Sequence, residues 1–224
     1  MRTTTPTYVK ATFFGPRGAG KTSLIVRIGG RRAFDPEYKP TIGMDFARKR
    51  VSVDATPVIF TAWDYTDYNS GAGAGAGAGS GCTSASSFLR DRDFVRRSDV
   101  AVLVFDATSA ASQREVVAWI QANDAGITDC VKALVATKVD VVDVGFDVAV
   151  RLAEARGVAS TYGWHFFETS AKNDTGIAEM VDALSRAALT LRGVHVPSTT
   201  SEAAPEAPPV TTPSPSWLRA CAIC

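Results

Sequence analysis

Apolar and β-branched residues gather in short runs spaced along most of the chain. Tyr8–Phe14 (Tyr-Val-Lys-Ala-Thr-Phe-Phe) has the length and residue types of a strand, and Val51–Trp63, Val100–Phe105, Val131–Thr137 and Trp164–Glu168 repeat that character. Between the runs the periodicity turns helical. Lys21–Ile28 reads as the start of one helix, and Ile177, Met180, Val181, Leu184, Ala188 and Leu191 mark the apolar face of another. For that last helix, Asn173-Asp174 offers a cap and Gly193 a stop. Arg48–Val53 and Val58–Trp63 flank a short Asp54–Pro57 turn, which predicts an antiparallel pair. The other elements alternate β and α. Such alternation predicts an α/β domain whose mostly parallel sheet carries helices on both faces. Ligands of such sheets bind beyond the carboxyl ends of the strands.

Two segments break the pattern. Gly71–Gly81 alternates Gly with Ala and Ser and leads into Cys-Thr-Ser-Ala-Ser-Ser, a low-complexity composition expected to stay mobile. Val194–Ser216 is rich in Pro, Ser, Thr and Ala, carries too little apolar surface to order itself, and reads as a tether. Composition agrees with a single domain. The 224 residues, 46% of them apolar, suit one globular unit of about 190 residues and a tail. A formal net charge of +1 gives no electrostatic case for a nucleic-acid partner. Cys82, Cys130, Cys221 and Cys224 are too scattered for a disulfide framework, so a reducing setting is expected. The first residues, Met-Arg-Thr-Thr-Thr-Pro-Thr, show no apolar signal region, and no run reaches the length that spans a bilayer.

The most informative motif follows the first strand. Residues 15–22 read Gly-Pro-Arg-Gly-Ala-Gly-Lys-Thr, a match to G-x-x-x-x-G-K-[ST]. Gly15, Gly18 and Gly20 let the backbone wrap tightly, so that N–H groups around Arg17, Ala19 and Ser23 can point at a diphosphate. Lys21 supplies a point charge for the β and γ oxygens, and the Thr22 hydroxyl suits Mg²⁺. A helix N-terminus facing an anion is favourable electrostatics.

Four further stretches recur at set places. Phe34-x-x-x-Tyr38-x-Pro40-Thr41-Ile42-Gly43-Met44-Asp45-Phe46 enters a strand, and Asp64 ends one after Trp63. Thr137-Lys138-Val139-Asp140 follows a buried strand, and Glu168-Thr169-Ser170-Ala171-Lys172 closes the last one. A carboxylate at Asp140 can accept both N1–H and N2–H₂ of guanine, a donor pair that adenine does not offer. The Lys138 stem can lie over a base. Asp64 fits either a solvated turn or a metal site, and its place beside the phosphate loop favours the metal. Ser170 fits a helix-capping turn as well as a base loop, and the two roles are compatible.

Together these stretches resemble the Ras superfamily of small GTPases, and the Rab branch most closely. The resemblance spans roughly Tyr8 to Gly193 and the C-terminal cysteines. It implies the P-loop NTPase fold, a six-stranded mostly parallel sheet with one antiparallel edge strand. Residues 1–193 would form the GTPase domain, with a Gly/Ala-rich insert at about 69–87, and 194–224 the tail. It implies GTP or GDP as ligand and Mg²⁺ as cofactor. Phe34 would stack beside the guanine and Tyr38 cover the phosphates. Thr41 would complete the Mg²⁺ shell set by Thr22 and Asp64 when a γ-phosphate is bound. The Ala171 N–H would donate to guanine O6, between Ser170 and Lys172. Thr137 stands where the family has Asn or Thr and is expected to keep the loop support, more weakly than Asn. Lys21 and Thr41 would serve GTP hydrolysis.

The chain departs from the family after the metal Asp. Where the family reads Asp-Thr-Ala-Gly-Gln, this chain reads Asp64-Tyr65-Thr66-Asp67-Tyr68. Asp67 at the Gly position adds bulk and like charge beside the γ-phosphate. Tyr68 stands at the position of the Gln that orients the attacking water, and a phenol lacks a carboxamide's paired donor and acceptor. Arg17 stands where most members carry a small P-loop residue; obstruction of hydrolysis or simple solvation is favoured over an arginine finger in cis. The Gly/Ala segment interrupts the region where the family has a compact loop and helix, and Phe88–Arg97 is expected to resume that helix. Nucleotide binding with slow hydrolysis is therefore expected. The sequence ends Cys221-Ala222-Ile223-Cys224, which fits a prenylation signal and also the paired cysteines of many Rab tails. The resemblance implies a monomeric switch on the cytoplasmic face of an intracellular membrane, with a cytosolic pool. Its partners would be effectors through residues 34–46, exchange and activating factors, and the prenylation machinery. The alternative is a hydrolysis-impaired, nucleotide-bound scaffold.

Overall fold

A strand whose residues are almost all apolar must be covered on both faces, and Val100–Asp106 is such a strand, buried over six of its seven residues. A computed structural model places it near the middle of the molecule; the structure describes residues 5–30, 45–64, 97–141 and 146–194. The elements run β1 (Thr7–Phe14), α1 (Lys21–Ile28), β2 (Asp45–Val53), β3 (Thr56–Asp64), β4 (Val100–Asp106), α2 (Ala110–Asn123), a 3₁₀ turn (Asp124–Gly126), β5 (Val131–Thr137), α3 (Phe146–Thr161), β6 (His165–Glu168) and α4 (Ile177–Leu191). Six strands form one sheet in the order β2-β3-β1-β4-β5-β6. Every neighbouring pair is parallel except β2 with β3. This is the expected sheet, with its antiparallel strand at the edge.

The period of two along the strands sorts side chains into two cores. Val100, Val102 and Val104 join Val9, Ala11 and Phe13, Leu24 and Ile28 of α1, and Met180 and Leu184 of α4. Ala101, Leu103 and Phe105 point the other way, onto Phe14, Trp119 and Ile120 of α2, and Ala155 and Ala159 of α3. Phe13, Leu24 and Leu184 are fully withdrawn from water, and burial of such side chains contributes about 1.5–3 kcal/mol each. No helix among the described residues is long and apolar enough to cross a membrane.

The run Val51–Trp63 resolves into a hairpin. Its turn is tighter than Asp54–Pro57: Asp54 (φ 43°) and Ala55 (φ 63°) alone connect Val53 to Thr56. Left-handed backbone at both turn residues matches the twist of the flanking strands. The Asp54 carboxylate is tied to Arg186 of α4, which offsets the absence of glycine. At α4 the start differs from expectation. Gly176 (φ 72°), not Asn173-Asp174, is the N-cap, and no side chain caps the helix. The chain must pass so close to β6 there that a Cβ on Gly176 would lie 2.1 Å from the Glu168 carbonyl oxygen, a contact only glycine avoids. Asp174 instead faces Arg27 at 3.6 Å. The stop at Gly193 is as expected: its φ is 66°, and the Val194 N–H reaches back to the Leu189 carbonyl at 3.1 Å.

The expectations for Phe34, Tyr38 and Thr41, for Asp67, Tyr68 and the Gly/Ala segment, for residues 88–96, and for the tail with Cys221 and Cys224 fall outside the described residues; Arg97 itself lies in a turn.

Candidate nucleotide site

The sheet register brings the carboxyl ends of five strands to one rim. Phe13 pairs with Asp64, Phe14 with Leu103, Asp106 with Thr137, and Ala136 with Glu168. The loops that follow β1, β5 and β6 therefore meet there, although their residues lie far apart in the chain. β1 also marks the point where the chain, having built β2 and β3 on one side, turns to the other with β4. Ligands of open α/β sheets bind at such a crevice.

At the phosphate end, the loop after β1 is a backbone cradle. Gly15 (φ 139°), Gly18 (φ 77°) and Gly20 (φ 85°) all take positive φ. A Cβ on Gly15 would lie 2.2 Å from the Val104 carbonyl oxygen, so the loop presses directly on β4. Gly20 caps α1, whose first turn carries no acidic side chain; the partial positive charge of that turn is left for an anion. The Lys21 ammonium donates to the Gly15 and Pro16 carbonyls at 2.8 and 2.9 Å, which folds the side chain back along the loop. Burial pulls its pKa below the usual lysine range, while the Asp64 and Glu115 carboxylates oppose that shift. Thr22 donates its hydroxyl to Asp64 Oδ2 at 2.5 Å, and Asp64 is completely buried. A hydroxyl and a carboxylate in contact beside a phosphate cradle are hard oxygen donors of the kind Mg²⁺ takes. The pair fits that ion, which when bound neutralises phosphate charge. Arg17 is exposed at the lip of the loop.

At the base end, Thr137 occupies the place expected of a supporting Asn. Its buried hydroxyl lies 2.6 Å from the Ala19 carbonyl and 3.0 Å from that of Phe105, so one proton is shared between the phosphate loop and the end of β4. Lys138 takes a left-handed backbone (φ 60°) and sets its ammonium 2.6 Å from Asp106 Oδ2. Asp140 has a side chain only 5% exposed. Its Oδ1 accepts from the Ser170 hydroxyl at 2.6 Å, and the Lys172 ammonium lies 3.9 Å from Oδ2. Ser170 also accepts the Asn173 N–H at 3.0 Å, so it serves the turn and the carboxylate together. Ser170 and Thr175 close the loop by exchanging both backbone hydrogen bonds. The structure thus brings Gly15 to Ser23, Asp64, Thr137 to Asp140, and Ser170 to Lys172 to one rim.

Two residues of this rim carry no motif. Arg27 of α1 donates to the carbonyls of Ala171 and Lys172 at 2.8 and 2.9 Å. Glu115 of α2 acts on Lys21 through its charge, and its Oε1 is buried with no hydrogen-bond partner among the described residues. An arginine on a helix face and a glutamate in a helix interior look like solvated surface in sequence. Cys130 is not a nucleophile for this site: burial pushes its thiol up to about 11.

A sheet of this order, with a phosphate loop at its switch point and a base loop two strands away, defines a P-loop small GTPase fold. The Ras family model matches residues 10–70 and 86–190, and the chain belongs to the Ras family. Within it the chain is Rab-like. It is 31% identical over 186 residues to GTP-binding protein yptV5 of Volvox carteri, covering 81% of this chain and 82% of that protein. It is 29% identical over 189 residues to GTP-binding protein yptV2 of the same organism, covering 84% and 78%. The Ypt/Rab-type GTPase ypt7 of Schizosaccharomyces pombe is 29% identical over 190 residues, covering 81% and 82%.

Proposed function

We propose that this chain is a Rab-like GTP-binding protein that hydrolyses GTP slowly and acts as a membrane-anchored switch in vesicle traffic. The observation that carries the reading is the pairing of two sites on one rim. A glycine cradle with Lys21 and the Thr22–Asp64 pair faces phosphate, and the buried Asp140, oriented by Ser170, faces a base. A nucleoside diphosphate has its charged and aromatic ends arranged in the same way. The names of the related proteins, GTP-binding and GTPase, support the nucleotide. The family match omits residues 71–85, inside the Gly/Ala segment, which supports reading that segment as an insert and 1–193 as the domain.

On this reading each residue has a task. N–H groups of the loop and the first turn of α1 bind phosphate oxygens. Lys21 leaves the loop carbonyls and turns its charge to the β and γ oxygens. Thr22 and Asp64 would hold Mg²⁺, and the family resemblance adds Thr41. Asp140 accepts the guanine N1–H and N2–H₂. The test is affinity for GDP, GTP and ATP with and without Mg²⁺. Guanosine nucleotides are expected to bind at micromolar Kd or better, with at least about a hundredfold preference over ATP and faster release on chelation. Equal binding of ATP overturns the reading.

The second reading, a nucleotide-bound scaffold with impaired hydrolysis, is favoured by Arg17, Asp67 and Tyr68, which align with family positions that face the γ-phosphate. Both readings share the tail. Cys221 is proposed as the prenylated residue, with Cys224 as a second site. One lipid gives only marginal attachment, and Arg219 alone is basic among the last ten residues. Intact-mass analysis of the C-terminal peptide from eukaryotic cells is expected to show prenyl mass on Cys221. An unmodified peptide removes the membrane claim.

A further inference from the structure

We infer that Arg27 is a positioning residue for guanine, holding the loop that reads the base oxygen. This rests on the guanine reading of the rim. Nε and one terminal nitrogen of Arg27 meet two successive carbonyls, those of Ala171 and Lys172, at 2.8 and 2.9 Å. The Asp174 carboxylate, 3.6 Å from Nε, holds the guanidinium from the far end of the same loop. Ala171 and Lys172 lie in a turn, outside any helix or strand, and without a shared donor their carbonyls are free to swing toward water. The Arg fork is a rigid donor that spans both.

Anchoring the Ala171 carbonyl restricts rotation about its Cα–C bond. On the other side, Ser170 is fixed by its bridge to Thr175 and by its hydroxyl on Asp140. The Ala171 N–H lies between these two anchors and keeps one direction. Arg27 also stands six residues after Lys21 on α1, roughly 9 Å along one rigid helix. The phosphate cradle and the base loop are thereby referenced to the same rod. Lysine cannot replace this geometry, because an ammonium offers no planar fork.

The experiment compares GDP with 6-thio-GDP, which keeps N1–H and N2–H₂ but replaces O6 by a poor acceptor, on the full chain and on R27A and R27K. The parent is expected to prefer GDP over 6-thio-GDP. In R27A, GDP affinity falls about tenfold, 6-thio-GDP affinity falls about threefold or less, and the preference shrinks. R27K, which keeps charge near Asp174, behaves like R27A in preference while unfolding at a temperature within a few degrees of the parent. Equal losses for both nucleotides in R27A, or a preference fully kept in R27K, overturn the inference and leave the guanine reading standing. A parent that binds GDP no better than ADP overturns both.

Discussion

Replacing Asp140 by Asn is expected to weaken GDP binding about 100- to 1000-fold and to make xanthosine diphosphate the preferred ligand. On the proposed reading Asp140 presents two acceptors to a base edge. Its buried side chain keeps Oδ1 on the Ser170 hydroxyl. Placing the Asn carbonyl oxygen on that hydroxyl, which already accepts from the Asn173 N–H, keeps the bond and puts the NH₂ at the Oδ2 position. The NH₂ then meets the guanine N2–H₂ group donor to donor, whereas xanthine offers an oxygen at that carbon. The Lys172 ammonium, 3.9 Å from Oδ2, loses its carboxylate and adds to the penalty. Competition titration measures the exchange of preference. GDP affinity within threefold of the parent would remove Asp140 from base recognition. The variant's melting temperature separates this from misfolding.

The second expected result concerns hydrolysis. The double replacement D67G/Y68Q is expected to raise the single-turnover rate of GTP hydrolysis about 10- to 100-fold over a slow parent. On the family alignment, the glycine removes a carboxylate from a γ-phosphate-facing position, and the glutamine restores a donor and an acceptor on one group for the attacking water. R17G serves as the control for the P-loop arginine. A further gain on adding R17G marks obstruction, and a loss marks a finger. A parent that already turns over at the rate of an ordinary small GTPase would sink the slow-hydrolysis proposal. An unchanged rate in the double variant would sink the assignment to residues 67 and 68.

The sheet was legible because its strands carry their burial in their composition. Val100–Phe105 is a continuous apolar run and Val131–Thr137 is one broken only by Lys132 before its closing Thr, as two-sided coverage requires, and the Asp54 turn splits the one run long enough to be two strands. The P-loop was legible because glycine alone takes the backbone found at Gly15 (φ 139°) and takes the left-handed one at Gly20 without strain. The start of α4 was misread. Asn173 and Asp174 have capping side chains, but the close pass over Glu168 demands a residue without a Cβ, and that constraint is tertiary. Arg27 was missed for a related reason. Its partners are carbonyls about 145 residues away, and carbonyls leave no mark in a sequence. Glu115 looks like any polar helix residue until its buried oxygen is seen.

The Thr137 hydroxyl has a single hydrogen and two carbonyls to serve, Ala19 in the phosphate loop and Phe105 at the end of β4. The phosphate loop and the base loop are thus fastened by one pin. A partner that pulls the phosphate loop away from Ala19 frees the pin for Phe105 at little enthalpic cost, and the loop carrying Asp140, three residues past the end of β5, feels the change. Prying at either end of the rim would unlatch the other, so a catalyst of nucleotide release needs to grip only one of them.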